Sequence, residues 1–383
     1  QQNGIVGMFN MFAGGAVGRM AIFALNIMPY ITASIVIQLL TSVVPRLEQL
    51  KKEGETGRKT INQYTRYGTV LLATVQGYGI AVGLEGAEGV VVDPGVFFRV
   101  SAVITLVGGT VFLMWLGEQI TARGVGNGIS LIIFAGIVAE LPSALAGTLE
   151  LGRQGVLSTF IILAMMVMVV AVIAFIVFME RAQRRLLVQY PKRQMGNKMT
   201  SGDSSHLPLK LNTAGVIPPI FASSLLLMPV TLANFSSGEN DMLASLAALL
   251  GRGQPAYMAM YAAGIIFFCF FYTSIVFNPN DTADNLKRQG GFIPGIRPGP
   301  RTAEFIDRVL TRLTVVGALY LTLVCLLPEF LINAYNVPFY FGGTSLLIVV
   351  NVTMDTVGQV QGHLFAHQYE GLIKKSKLGG KRR

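Results

Sequence analysis

The sequence predicts an all-α polytopic membrane protein, and three observations carry that reading. Of its 383 residues, 52% are hydrophobic and only 13% are charged, where a soluble domain carries roughly 25% charged residues. The apolar residues gather into nine windows of roughly 18 to 25 residues, about the length a helix needs to cross a hydrocarbon core of ~30 Å. Finally, 26 of the 30 Lys and Arg fall in alternate loops or in the C-terminal tail, the exceptions being Arg19, Arg99, Arg153 and Arg252. Basic loops mark the cytoplasmic side, so those loops and the C-terminus are expected there.

The first apolar stretch, Gly4 to Val44, is longer than one crossing and is interrupted by Gly14, Gly15, Arg19 and Pro29. Breakers inside an apolar run are tolerated where protein or a water-filled cavity satisfies the freed backbone. A short re-entrant helix near 8–20 and a true span near 24–44 are therefore expected. Eight further spans are expected near 67–84, 96–118, 127–148, 155–179, 213–235, 255–278, 312–333 and 342–363. The chain starts at Gln1 with no basic n-region or small-residue cleavage site, which predicts no signal peptide and a sequence trimmed at its start. Cys269 and Cys325 each fall inside an apolar span and read as small hydrophobes rather than a disulfide framework.

Two loops on the basic side, about 181–211 and 279–311, are far longer than the usual helix connection. The second has turn signals at Gly290, Gly291, Pro294, Gly295, Pro298 and Pro300, so it is expected to form an ordered basic protrusion. The tract LEQLKKEGETGRKTINQYTR between the first two spans is a shorter basic element.

The chemistry of an enzyme is missing. The chain has no HExxH, GxSxG or Walker A pattern, and no metal or cofactor site is expected. GVGNG at 124–128 echoes a dinucleotide loop but opens a membrane helix, so it reads as a flexible helix start. His363 and His367 are spaced i, i+4 without a Cys, Asp or Glu in register, the pattern of a solvated helix end more than of a metal site. Asp355 shares a stripe with Asn351 and Gln359. Counted from Gly343 it lies ~18 Å along its helix, past the midplane, where structural hydrogen bonding competes with ion coupling as its role. A passive channel and an ion-coupled secondary transporter thus stand as alternatives, while an intramembrane protease lacks a nucleophile and base.

Six runs carry a resemblance over the whole chain, in order: FNMFAGGAVGRMAIFALNIMPYITASIVIQLL, GEQITARGVGNGISLIIFAGIV, HLPLKLNTAGVIPPIFASS, FFCFFYTSIVFNPNDTADNLK, FIPGIRPGPRTAEFIDRVLTRLT and VPFYFGGTSLLIV. They resemble the SecY family of bacterial protein translocase channels. The resemblance implies two inverted-repeat halves, here 1–152 and 153–383, closing like a clamshell around an hourglass channel, with nine of the family's ten spans present and the first absent. It implies a plug over Met8, Phe9, Asn10, Met11, Phe12, Gly14, Gly15 and Arg19, and a pore ring of Ile27, Ile31, Ile129, Ile133, Ile220 and Ile348. A lateral gate would run between Ile31, Ser34 and Ile37 on one side and Pro218, Pro219 and Ser223 on the other, the prolines suiting a helix that bends. Such a ring offers no hydrogen bonds to water, so it can close by dewetting, and a segment in the pore could leave sideways when lipid favours its apolar surface by about 25 cal/mol per Å². Asn26 and Asn351 depart from the pattern, which implies a slightly wetter waist.

The resemblance also assigns partner docking to Arg297, Arg184, Arg185, Lys287 and Arg288. The implied partners are the SecE and SecG subunits, the SecA motor or a ribosome, precursor polypeptides, membrane lipids and a second channel side by side. The implied location is the bacterial inner membrane, with polypeptide passage driven by the bound partner.

Overall fold

The computed structural model describes residues 21–85, 91–191, 194–195, 198–199, 204–235, 245, 249, 254–335 and 343–379; the re-entrant helix expected near 8–20 lies outside them. Residues 22–27 form turns rather than helix, with the N–H groups of Ala24 and Asn26 donating to the carbonyls of Ala21 and Phe23 at 2.9 Å. Asn26 has φ 48°, a left-handed conformation that Asn adopts more readily than other side-chain-bearing residues. The span expected from 24 therefore starts as helix α1 at Met28–Val43. Pro29 stands in its first turn, where no intrahelical N–H bond is lost, so it opens the helix instead of interrupting it.

A second proline ends this helix. α2 (Pro45–Lys52) leaves at 99° to α1, and α3 (Glu55–Glu85) returns along it. α4 (Val96–Arg123) packs on α3, and α5 (Gly128–Arg153) follows. α6 (Thr159–Arg181) is apolar until Glu180 and Arg181 at its end and buries only Ile176. Such a helix is stable only with lipid or another protein around it. α7 (Ile217–Phe235), α8 (Pro255–Val276), α9 (Pro279–Arg288), α10 (Pro300–Tyr335) and α11 (Gly343–Gly379) complete the chain.

Helices thus stand at all nine expected positions. Six are individually long and apolar enough to cross a membrane among the described residues, with α1 and α2 together making a seventh if counted as one bent span. Several of their hydroxyls are satisfied locally: Thr32, Thr65, Thr69, Thr314 and Thr322 each donate to the carbonyl four residues back, which lets a polar side chain enter an apolar helix.

Two expectations change. The loop about 181–211 contains strands: β1 (Gln183–Gln189) pairs antiparallel with β4 (Ser204–Lys210), and the short β2 (Gln194–Met195) pairs with β3 (Lys198–Met199). Leu186 and Val188 are the two buried residues of β1, the period of two that a strand requires. The loop about 279–311 is largely helical, because α10 begins at Pro300, twelve residues before the expected 312. Ala303, Ile306, Val309, Leu310 and Leu313 are buried there, a helical stripe that the intervening charges conceal.

By proximity the chain divides into two units, one of 1–156, 224–252 and 348–383, the other of 157–223 and 253–347. Such units record nearness in space, whereas the expected halves 1–152 and 153–383 are drawn by chain direction.

Candidate functional site: an isoleucine waist and a basic docking face

The six candidate ring residues sit at helix beginnings. Ile27 is the N-cap of α1 and Ile31 lies in its first turn; Ile129 and Ile133 occupy the first two turns of α5; Ile220 is in the first turn of α7 and Ile348 in the second of α11. Ile27, Ile348, Ile133 and Ile31 are 0, 1, 4 and 6% exposed, and Ile129 and Ile220 are half-buried. None is exposed as Leu163 and Phe178 of α6 are, at 63 and 70%. All but Ile220 belong to one spatial unit.

The start of α5 is held from three directions. Asn127 caps it by accepting from the Ile129 N–H at 3.1 Å, the Thr121 hydroxyl oxygen accepts from the Gly128 N–H at 2.9 Å, and Gln359 of α11 accepts from the Gly126 N–H at 2.8 Å. Gly126 has φ +86°, and a Cβ on Gly128 would meet the Gly117 carbonyl oxygen at 2.0 Å. The glycines of GVGNG therefore make a tight turn and a close helix contact, not the flexible start expected from sequence. Asn351 is buried one turn beyond Ile348 with its Nδ2 unpartnered among the described residues.

Of the gate residues, Ile31, Pro218, Pro219 and Ser223 are buried and Ser34 and Ile37 half-buried; the two rows belong to different spatial units. The Ser223 hydroxyl donates to the Ile220 carbonyl at 2.9 Å. Pro218 and Pro219 occupy the first turn of α7, where a missing N–H disrupts nothing. There they can initiate the helix. The plug residues Met8, Phe9, Asn10, Met11, Phe12, Gly14, Gly15 and Arg19 lie outside the described residues.

The two long loops close over one apolar core. Leu186 and Val188 of β1, Leu209 of β4, Leu286 of α9, Ile293, and Ile306 and Val309 of α10 form it. Gln189 and Phe292 exchange backbone hydrogen bonds at 2.9 Å both ways, stitching the sheet to the second loop. Asn212 Nδ2 donates to Glu180 Oε1 at 2.7 Å and the Tyr320 hydroxyl donates to the same oxygen at 3.3 Å, tying the sheet's exit to α6 and α10. No motif announced these contacts, and QRRLLVQ, with three apolar residues in a row, does not alternate in sequence. On the outside of this body Arg184, Arg185, Lys287, Arg288 and Arg297 are all exposed. None of them is in an ion pair among the described residues. A rigid platform carrying uncommitted cations suits an anionic partner.

The remaining candidates are quiet. Asp355 and His363 are exposed, and the His367 side chain lies outside the described ones. No cluster of three metal-ligating side chains occurs among the described residues. Cys269 and Cys325 are buried and unpaired.

Known proteins match along nearly the whole chain. The SecY family model covers residues 21–357. The chain is 59% identical over 386 residues to "Protein translocase subunit SecY" of Escherichia coli (strain K12), spanning 99% of this chain and 87% of that protein. With its counterpart from Rickettsia bellii (strain RML369-C) the identity is 58% over 381 residues, spanning 98% and 88%. Among solved structures, "The structure of a protein conducting channel" superposes with a TM-score of 0.67 at 18% identity, over 92% of this chain and 84% of that one. "Sec61 in the Canine ribosome-channel complex from the endoplasmic reticulum" gives 0.63 at 18%, over the same 92% and 84%. At these identities the structural likeness speaks for the fold.

Proposed function

Because the chain belongs to the SecY family, and is thus a protein-conducting channel subunit and not an enzyme, we propose that Ile27, Ile31, Ile129, Ile133, Ile220 and Ile348 form its waist. The observation that carries the reading is that none of the six is exposed, although lipid would accept any of them on a helix exterior. An apolar ring excludes hydrated ions when empty and gives a passing chain no hydrogen bond to hold. The plug near 8–20 would stopper this waist, the rows Ile31–Ser34–Ile37 and Pro218–Pro219–Ser223 would part to release apolar segments into lipid, and the halves 1–152 and 153–383 would swing as the two shells.

The basic body would dock the agent that drives transport, a ribosome or SecA. A similar channel has been solved on a ribosome, and the exposed cations match the phosphates of ribosomal RNA. SecE and SecG would complete the complex in a bacterial inner membrane, with the basic loops in the cytoplasm. The secondary-transporter alternative finds no support, since its one candidate acid, Asp355, is exposed and the family is that of translocase channels.

Replacing the six isoleucines together by Gly or Ser tests the waist. Single-channel recordings in planar bilayers are expected to show a resting ion conductance that the unaltered channel lacks; unchanged conductance would show that the six residues do not share a pore.

A further inference from the structure

The α3–α4 pair carries an ion pair at each end. At one end Arg66 forks onto Glu118, Nε to Oε1 at 3.0 Å and Nη2 to Oε2 at 2.7 Å. At the other, Arg99 reaches Glu85 Oε2 through Nε at 2.7 Å and Nη2 at 2.6 Å. Positions 66 and 85 on α3, like 99 and 118 on α4, are 19 residues apart, about 28 Å at 1.5 Å per residue. A hydrocarbon core is ~30 Å thick. The two ion pairs therefore lie at the two headgroup levels, with the Arg99 pair on the face away from the basic loops.

Between the Arg99 end of these helices runs an open groove of about 730 Å³. Val75 and Val82 of α3 and Val100, Val103 and Ile104 of α4 line it, and its deepest α3 residue is Thr74. From Glu85 down to Thr74 is eleven residues, about 16 Å, which is half the hydrocarbon thickness and so the depth of one leaflet. The floor makes no polar demand, because the Thr74 hydroxyl donates to the Val70 carbonyl at 2.8 Å. Polar groups gather at the rim, where Arg99 Nη1 donates to the Tyr78 hydroxyl at 3.4 Å.

The rim has guanidinium donors to spare. Glu85 is 10% exposed, with Oε1 taken by the Gly95 N–H at 3.0 Å and Oε2 by Arg99. Arg99 is 37% exposed, and its guanidinium has five N–H groups, of which three are directed at Glu85 and Tyr78. Two guanidinium N–H groups thus remain for a further acceptor, so the rim can take an anionic oxygen, and a phosphodiester suits such a fork well.

We propose that this groove holds one phospholipid of the leaflet opposite the basic loops, an acyl chain lying along Val75, Val82, Val100 and Ile104 and the phosphate on Arg99. The site accounts for an arginine that departs from the charge bias of the chain, and for an apolar trough whose length ends at the midplane.

The test uses the full chain purified with its native partner subunits and reconstituted into vesicles of phosphatidylethanolamine and phosphatidylglycerol. The probe is phosphatidylethanolamine with a diazirine on one acyl chain, activated by light, with labelled peptides mapped by mass spectrometry. Label is expected on residues 74–82 and 96–104, and about tenfold less of it in Arg99→Gln, the loss that about 1.4 kcal/mol of phosphate binding corresponds to. Val100→Trp fills the groove without touching the ion pair and is expected to lower label there by a similar factor, while Val167→Trp on exposed α6 leaves it unchanged. A diazirine diacylglycerol, which lacks the phosphate, is expected to label weakly. Equal labelling by the diacylglycerol, label insensitive to both groove variants, or crosslinks from this groove only to a partner subunit would each overturn the proposal.

Discussion

The proposed waist and the proposed docking body are built on opposite plans, although both rest on buried aliphatic side chains. The six candidate waist residues stand one or two at a time at the starts of four different helices, α1, α5, α7 and α11. The docking body gathers Leu186, Val188, Leu209, Leu286, Ile293 and Ile306 from a sheet, two helices and the segment between those helices into one local core. Its cations lie outside that core, exposed and uncommitted. A local core ties its own elements to one another, so the proposed docking body is expected to keep its shape while the channel changes state. Residues held on separate helices move when the helices move, as a pore that opens requires.

Damage to each region should therefore show in a different assay, and the largest effect is expected in the docking body. Ile306 is 0% exposed at the centre of its core, so Ile306→Ala should cost about 2–5 kcal/mol. Limited proteolysis is expected to nick residues 183–210, and partner-driven export in reconstituted vesicles to fall, with the resting conductance of the pore unchanged. A leak appearing in this variant would show that the two regions are one mechanical unit. Next comes Gly128→Ala, which presses a methyl toward the Gly117 carbonyl oxygen, overpacking by about 1–3 kcal/mol. The displaced α5 start carries Ile129 and Ile133, so this variant should leak ions while still docking its partner normally.

Sequence reading reached the parts of the fold that lipid dictates. A span must be long and continuously apolar, so the nine helix positions could be read off even where their ends could not. The ends depend on contacts of single residues: Asn26 in a left-handed turn delays α1, and Pro300 starts α10 twelve residues early because Ile306, Val309 and Leu313 found a core. Strand β1 was missed because seven residues with two buried positions give little periodicity to detect. The proposed waist rests on motif resemblance for the choice of its residues, since an isoleucine in a membrane helix looks the same in sequence whether it faces lipid, a neighbour or a pore.

Smaller effects are expected at the surface of the body. Arg297 is exposed, and only its backbone carbonyl is engaged, accepting from the Thr302 hydroxyl at 2.9 Å. Reversing its charge should leave the fold intact and weaken docking by up to about 1 kcal/mol, roughly fivefold, as exposed charge contacts do. The deficit in partner-driven export should shrink as salt is raised, because screening removes what the substitution reversed. A deficit that salt does not change would mean that Arg297 acts through shape.

The smallest effect is predicted at Asp355, and its smallness is the point. A coupled carrier needs an acid that is shielded from water in one state, and Asp355 is exposed on α11. Four residues on, Gln359 makes the bond to Gly126 that anchors the α4–α5 turn, so the stripe already has a structural use that needs no charge at 355. Asp355→Asn preserves shape while removing the ionisable group. Stability should change by no more than about 0.5 kcal/mol, as for other surface substitutions, and precursor export should match the unaltered protein with or without an imposed proton gradient. Loss of export only when the gradient is imposed would place a titrating group in the transport cycle, and the waist would then be one gate of a coupled carrier, not a passive seal.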